Sequence, residues 1–163
     1  MGSYSVQLLK SWKAHITTTC KSSDIEHVMR LGADVAIDYQ KHDVAKELKR
    51  LDRFDMILDC VQKKPQSLSI WMNLLKKNCD ATYVTLNGPL LRNNDRLGFP
   101  FGFFKSAVDY VPNTLKYKAE GKNIAWGLFY PSKTALRTTA NLIDKGKVWF
   151  ACSIDMLKCA AIM

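Results

Sequence analysis

Five cysteines and three histidines are the side chains of this sequence best suited to nucleophilic or metal chemistry, and their spacing argues against both. Cys20, Cys60, Cys79, Cys152 and Cys159 form an odd set without a C-x-x-C pair. That pattern points to a reducing compartment rather than a disulfide framework. His15, His27 and His42 fall in three different segments with no shared ligand spacing, which speaks against a zinc site. No Ser-His-Asp set can be read, and Cys60 has no evident group to activate it as a nucleophile. Whatever chemistry the chain supports must come from holding a ligand.

The elements that would hold it are legible in the first half. Three short apolar runs, ITTTC, VAIDY and FDMILDCV, are separated by two helix-length amphipathic segments and followed by a fourth run, ATYVTL. Strands alternating with helices in this way predict an α/β fold with a doubly wound parallel sheet. Helices are expected at Ser3–Lys13, from Ser22–Asp24 to Leu31, at Asp43–Leu51 and at Gln66–Lys77, the last started by Pro65. The strand Phe54–Val61 is apolar enough to predict burial on both faces. Residues 87–102, rich in Gly, Pro and Asn, read as a long loop of the kind that often forms a lid. Within them begins FPFGFF, Phe99–Phe104, which could cover a sheet end or wall a pocket. Farther on, Asn123–Tyr130 reads as a strand and Ser132–Asp144 as a helix; the tail 147–163 starts like a strand and then loses its pattern.

Composition narrows the class. At 163 residues the chain suffices for one domain with a substantial core. It contains no apolar run long enough to span a membrane, and the N-terminal segment does not read as a targeting peptide. The net charge of +9 is spread along the chain. Without a nucleic-acid motif beside it, no nucleic-acid partner is expected, and a basic surface attractive to phosphate-bearing ligands is the plainer account.

Four fragments in order, LGADVAIDY at 31–39, FDMILDCV at 54–61, ATYVTL at 81–86 and LIDKGKV at 142–148, resemble the cofactor domain of medium-chain dehydrogenases of the quinone oxidoreductase branch. TTTC, LLKSW, LKK and NNDRLG bring the likeness nearest to a mitochondrial member of that branch. The resemblance implies a Rossmann-like dinucleotide-binding domain over residues 1–148, a divergent tail over 149–163, and no substrate domain ahead of it. It also implies that the first strand, central in a doubly wound sheet, is lacking, so that its neighbours face unpaired ladders unless the gap closes or another chain supplies a strand.

The same resemblance assigns cofactor contacts. Gly2 and Ser3 match the end of the glycine-rich turn at the pyrophosphate. Cys20, Lys21 and Ser22 stand where an acidic side chain would select NADH; with none at that tip, NADPH is the expected cofactor. Tyr39 matches a position near the adenosine, Cys60 the approach to the nicotinamide ribose, and Leu86 and Phe129 the nicotinamide side. Gln62-Lys63-Lys64 replaces the family's glycines there. Plain structural readings stand beside these: a loop charge for Lys21, a helix cap for Ser22, a strand-end aromatic for Tyr39, core packing for Leu86 and Phe129. The implied activity is hydride transfer from NADPH to quinone-like or conjugated carbonyl acceptors in a mitochondrial setting, impaired in so short a chain. The alternatives are a non-catalytic module, forming a homodimer through the edge of the sixth strand, NIAWGLFY, or a gene fragment.

Overall fold

The computed structural model describes residues 1–60, 68–86, 89–127, 131–149 and 160–162. They form two compact units, 1–52 with 129–163, and 53–128.

In the first unit, helix α1 (Gly2–Ser11) leads through a turn with Lys13 at φ 63° into strand β1 (Thr17–Cys20). Three β-branched threonines suit a strand, and all four residues of β1 are buried. A 3-10 turn (Ser22–Asp24) and α2 (Ile25–Arg30) then carry the chain to β2 (Val35–Asp38), which pairs parallel with β1 in the register Thr17↔Val35 to Cys20↔Asp38. The core between them is Val6 and Leu9 of α1 with Ile16, Cys20, Val28, Leu31 and Ala33. Gly32 closes α2 at φ +106°, a conformation that disfavours any side chain. Asp34 fastens the start of both strands: its carboxylate accepts from the Ile16 amide at 2.8 Å and from Lys10 Nζ at 2.7 Å. Helices α3 (Val44–Arg50), capped by the Asp43 side chain, and α7 (Lys133–Asp144), capped by Ser132, follow the sequence pattern.

One alternative that the sequence left open is decided here. The inner side of β1 is not left bare: strand β6 (Ala160–Ile162), the end of the tail that looked patternless, pairs with it antiparallel, Thr17↔Ile162 to Thr19↔Ala160. Ala-Ala-Ile is small and apolar enough to lie beside a fully buried strand, and pairing there relieves the cost of buried backbone groups.

The second unit holds β3 (Met56–Asp59), α4 (Leu68–Leu74), β4 (Ala81–Thr85), α5 (Pro89–Leu97), α6 (Phe101–Ala119) and β5 (Lys122–Trp126). The three strands are parallel, in the order β3, β4, β5, with Asp59↔Thr85 and Thr85↔Trp126 at their carboxyl ends. Only Ile57 of β3 is fully buried. Met56 and Leu58, on the other face, are half-buried, so the expected burial of both faces is met in full on one side and only in part on the other. Pro65 lies outside the described residues, so its part in starting α4 does not enter.

Of the predicted long loop at 87–102, the described residues 89–102 form a helical hairpin instead. Pro89 occupies the first turn of α5, where a missing N–H costs nothing. The Asn and Arg residues that looked like loop punctuation belong to α5, and Gly98 ends it at φ +70°. Gly102 is helical and marks the crossing: a Cβ there would sit 2.5 Å from the backbone of Asn93 and Asn94. Beside it Asn93 Nδ2 donates to Ser106 Oγ at 2.9 Å, and Ser106 Oγ donates to the Gly102 carbonyl at 2.8 Å. The aromatic run covers no sheet end and lines no wall; Phe99, Phe101, Phe103 and Phe104 are all exposed, Phe99 by 82%.

Candidate functional site

In open α/β sheets ligands settle at the carboxyl ends of the strands, and each unit has such a rim. In the first unit the rim is made by Cys20 at the end of β1 with Lys21 and Ser22 after it, and by Asp38 at the end of β2 with Tyr39 after it. The two ends are tied by the Tyr39 amide donating to the Cys20 carbonyl at 3.1 Å. Cys20 itself is fully buried and packs in the core rather than facing a ligand. Lys21 is half-buried and stands, with extended backbone, just before the 3-10 turn.

Ser22 does not cap that turn. Its hydroxyl donates to Asp38 Oδ2, and Asp38 Oδ1 accepts from the Gln40 amide at 2.9 Å. The bond from Ser22, followed by that from Gln40, holds the Asp38 carboxyl below its usual range despite burial. Lys41 Nζ approaches the same carboxylate at 3.9 Å. Asp38 is the functional candidate that the sequence reading passed over. The signal was present in its register opposite Cys20, which sets an acid level with the tip of β1.

Gly2 is buried and Ser3 half-buried at the opening of α1, where no side chain caps the helix. The first-turn amides of a helix have no acceptor within it, and its dipole is positive at that end. An α1 opened in this way suits an anion such as a pyrophosphate.

The second unit's rim carries Asp59 at the end of β3, Cys60 after it, Leu86 after β4 and Gly127 after β5. Leu86 N donates to the Asp59 carbonyl at 3.1 Å and Gly127 N to the Thr85 carbonyl at 2.8 Å. Leu86 and Cys60 are half-buried, open to a ligand in part. A Cβ at Gly127 would meet Leu86 Cδ2 at 2.5 Å, so glycine there lets the two strand ends lie close. Below the rim, Tyr83 donates its hydroxyl to Asp59 Oδ2 at 2.8 Å. Burial first, and the Asp59 charge second, push the Tyr83 phenol above its usual value, so it stays a neutral donor. Phe129 and residues 62–64 lie outside the described residues.

Parallel strands whose carboxyl ends form open rims, joined through helices, define an α/β protein of the doubly wound kind. The match to known proteins makes this specific: residues 1–101 fit the family described as zinc-binding dehydrogenase, and the chain belongs to that family. It is 38% identical over 148 residues to the mitochondrial NAD(P)H oxidoreductase RTN4IP1 of Danio rerio, covering 91% of this chain and 38% of that protein. To the Homo sapiens counterpart it is 39% identical over 149 residues, covering 91% and 37%. The chain thus spans less than two-fifths of these relatives' length. In fold it is similar to the quinone oxidoreductase from Coxiella burnetii, with a TM-score of 0.63 at 16% identity, covering 93% of this chain and 40% of that one.

Despite the family's descriptor, no group of three or more His, Cys, Asp or Glu among the described residues could hold a metal ion. The described residues do not fit a resident zinc. No helix among them is long and apolar enough to cross a membrane.

Proposed function

We propose that this chain is the dinucleotide-holding part of an NADPH-dependent oxidoreductase that delivers hydride to quinone-like or conjugated carbonyl acceptors, in the mitochondrion. The observation that carries the reading is the first unit's rim. The tip of β1 offers Lys21, while Asp38, the acid level with that tip on β2, is engaged by Ser22 and Gln40. A ribose 2′-phosphate suits such a rim better than a bare 2′-hydroxyl, which wants a carboxylate at the tip.

In this reading Gly2 and Ser3 meet the pyrophosphate, Lys21 the 2′-phosphate, and Tyr39 lies along the adenosine. Cys60, Leu86 and Phe129 attend the nicotinamide. The nicotinamide supplies the hydride; the chain's own contribution is to hold and orient it, since alignment of donor and acceptor accounts for much of such catalysis. The longer relatives carry names of NAD(P)H oxidoreductases and mitochondrial proteins, which supports both the cofactor and the compartment. For this chain taken alone, turnover of a quinone is expected to be weak.

Calorimetric titration with NADPH and NADH tests the reading. Saturable binding with NADPH preferred is the expected result. Absence of binding for both, or preference for NADH, overturns it. The non-catalytic alternative finds its support in β5, which lies at the outer edge of its sheet, a place where strands of two copies can pair.

A further inference from the structure

Asp59 sets an ionic group at the mouth of the second unit's sheet, and two buried hydroxyls are given over to it. The register Ile57↔Tyr83 and Asp59↔Thr85 puts these four side chains on one face. Tyr83, 4% exposed, donates to Asp59 Oδ2 at 2.8 Å and accepts from the Thr85 side chain. Its single proton is thereby committed, and the carboxylate is held in one orientation. Packing does not call for this arrangement. Ile57 on the same face is 1% exposed, so an apolar residue in place of Asp59 would extend that core, and exchanging buried ionic groups for apolar ones is often neutral or stabilising. Of the residues named on this rim, Asp59, Cys60, Leu86 and Gly127, Asp59 alone has a carboxylate to offer.

We propose that the Asp59 carboxylate, held by Tyr83, favours the oxidised, cationic state of the nicotinamide ring over the reduced, neutral one, and so assists departure of the hydride. The inference rests on the functional reading above, which sets the nicotinamide at this rim. In the transfer the C4–H bond of the ring breaks with its electron pair. On a conjugated carbonyl acceptor a C–H bond forms at the far carbon, and the displaced π pair goes to the carbonyl oxygen, which takes a proton from water. The ring's charge thereby rises by one. A fixed negative charge at the rim attracts the second state and not the first, and a preoriented charge stabilises a developing one without reorganising at the moment of reaction. Such attraction is stronger at a partly desolvated site than in water, and Asp59 is half-buried. Tyr83 is a positioning residue: it fixes where the charge stands, and it keeps its proton because burial, then the Asp59 charge, push its phenol above the usual value. The same carboxylate repels phosphate, so the two rims have opposite preferences, Lys21 for the anionic end of a dinucleotide and Asp59 for the ring.

Calorimetric titration of the full chain with NADP⁺, NADPH and 2′,5′-ADP is the test, with thermal melting followed by circular dichroism to confirm folding. Asp59→Asn keeps the size of the side chain and an oxygen for Tyr83. It should lower the affinity for NADP⁺ about tenfold while NADPH and 2′,5′-ADP stay within about twofold. Asp59→Glu keeps the charge and should hold the ratio of NADP⁺ to NADPH affinity within about twofold of the wild type. Tyr83→Phe should lower that ratio about threefold with 2′,5′-ADP binding as before, a selectivity that a merely structural role does not produce. If Asp59→Asn melts early, Asp59→Ser takes its place. A ratio unmoved by loss of the carboxylate, with 2′,5′-ADP still bound, overturns the inference and leaves the dinucleotide reading standing. Equal weakening of all three ligands overturns it in favour of a structural role. A wild type that binds none of the three overturns the dinucleotide reading, and this inference with it.

Discussion

Replacing Lys21 with alanine should remove the preference for a 2′-phosphate, and replacing Ser22 should not. A hydroxyl has one proton to give, and that of Ser22 is given to Asp38. Toward a phosphate dianion, which only accepts, Ser22 then has nothing to offer. The Asp38 carboxylate beside it is repulsive, although Lys41 at 3.9 Å offsets part of that charge. The attraction must therefore come from Lys21. Unit charges about 4 Å apart are worth about 1 kcal/mol in water and about 4 kcal/mol at the effective dielectric of a protein surface. For a half-buried lysine about 2 kcal/mol is a fair middle value, a factor of about 30 in affinity. The assay is calorimetric binding of 2′,5′-ADP and 5′-AMP, which differ by the phosphate alone. Lys21→Ala should lower the ratio of their affinities about 30-fold, chiefly through 2′,5′-ADP, with the loss shrinking in high salt. Ser22→Ala should leave the ratio within about threefold. Equal weakening of both ligands by Lys21→Ala, or a ratio as damaged by Ser22→Ala, would refute the assignment.

Gly102→Ala should destabilise the fold by about 1–3 kcal/mol in urea titrations, because overpacking at the helix crossing outweighs the roughly 1 kcal/mol that alanine adds to helix propensity. Tyr83→Phe should cost about 1–3 kcal/mol, the loss of a buried donor to a carboxylate. Asp34 is held low first by the hydrogen bond from Lys10, Asp38 by that from Ser22 and Glu120 by that from Lys122. Folded values below the unfolded 3.8 and 4.5 mean that their stabilisation is complete above that range and is lost as the pH falls through the folded values. Melting temperature should therefore be level near neutrality and drop below about pH 4, less steeply in Lys10→Ala. Removing residues 160–163 should expose the inner ladder of β1, lowering the melting temperature and promoting aggregation.

The strands and helices of residues 1–52 were legible because local preference and burial agree there. ITTTC is β-branched and ends up fully buried, and the polar residues between strands fall where helices face water. At 87–102 they disagree. Pro89, the Asn pair and Gly98 are all common in loops, and each also has a helical use, at a first turn, at a helix crossing and at a closing residue. No periodicity within that one segment could choose between them, because α5 is stabilised by its crossing with α6 through Gly102, Asn93 and Ser106, a contact between segments. The expected burial of β3 is met only in part for a related reason. Apolar residues state that a face can be covered, and only the placement of helices decides whether it is.

The strand ends that the proposed site uses were legible in the sequence, and their hydrogen bonds were not. That the tip of β1 lacks an acid can be read from Cys20-Lys21-Ser22 alone, and it points toward a phosphate. The parallel register Cys20↔Asp38 brings an acid level with that tip from the neighbouring strand, which a linear reading of one strand end overlooks. The same three residues then take different parts: Cys20 packs, Ser22 restrains Asp38, and Lys21 carries the charge. Cofactor choice in a sheet of this kind is set by the pair of strand ends together, because a carboxylate whose oxygens are occupied by Ser22 and the Gln40 amide is poorly placed to take a ribose hydroxyl.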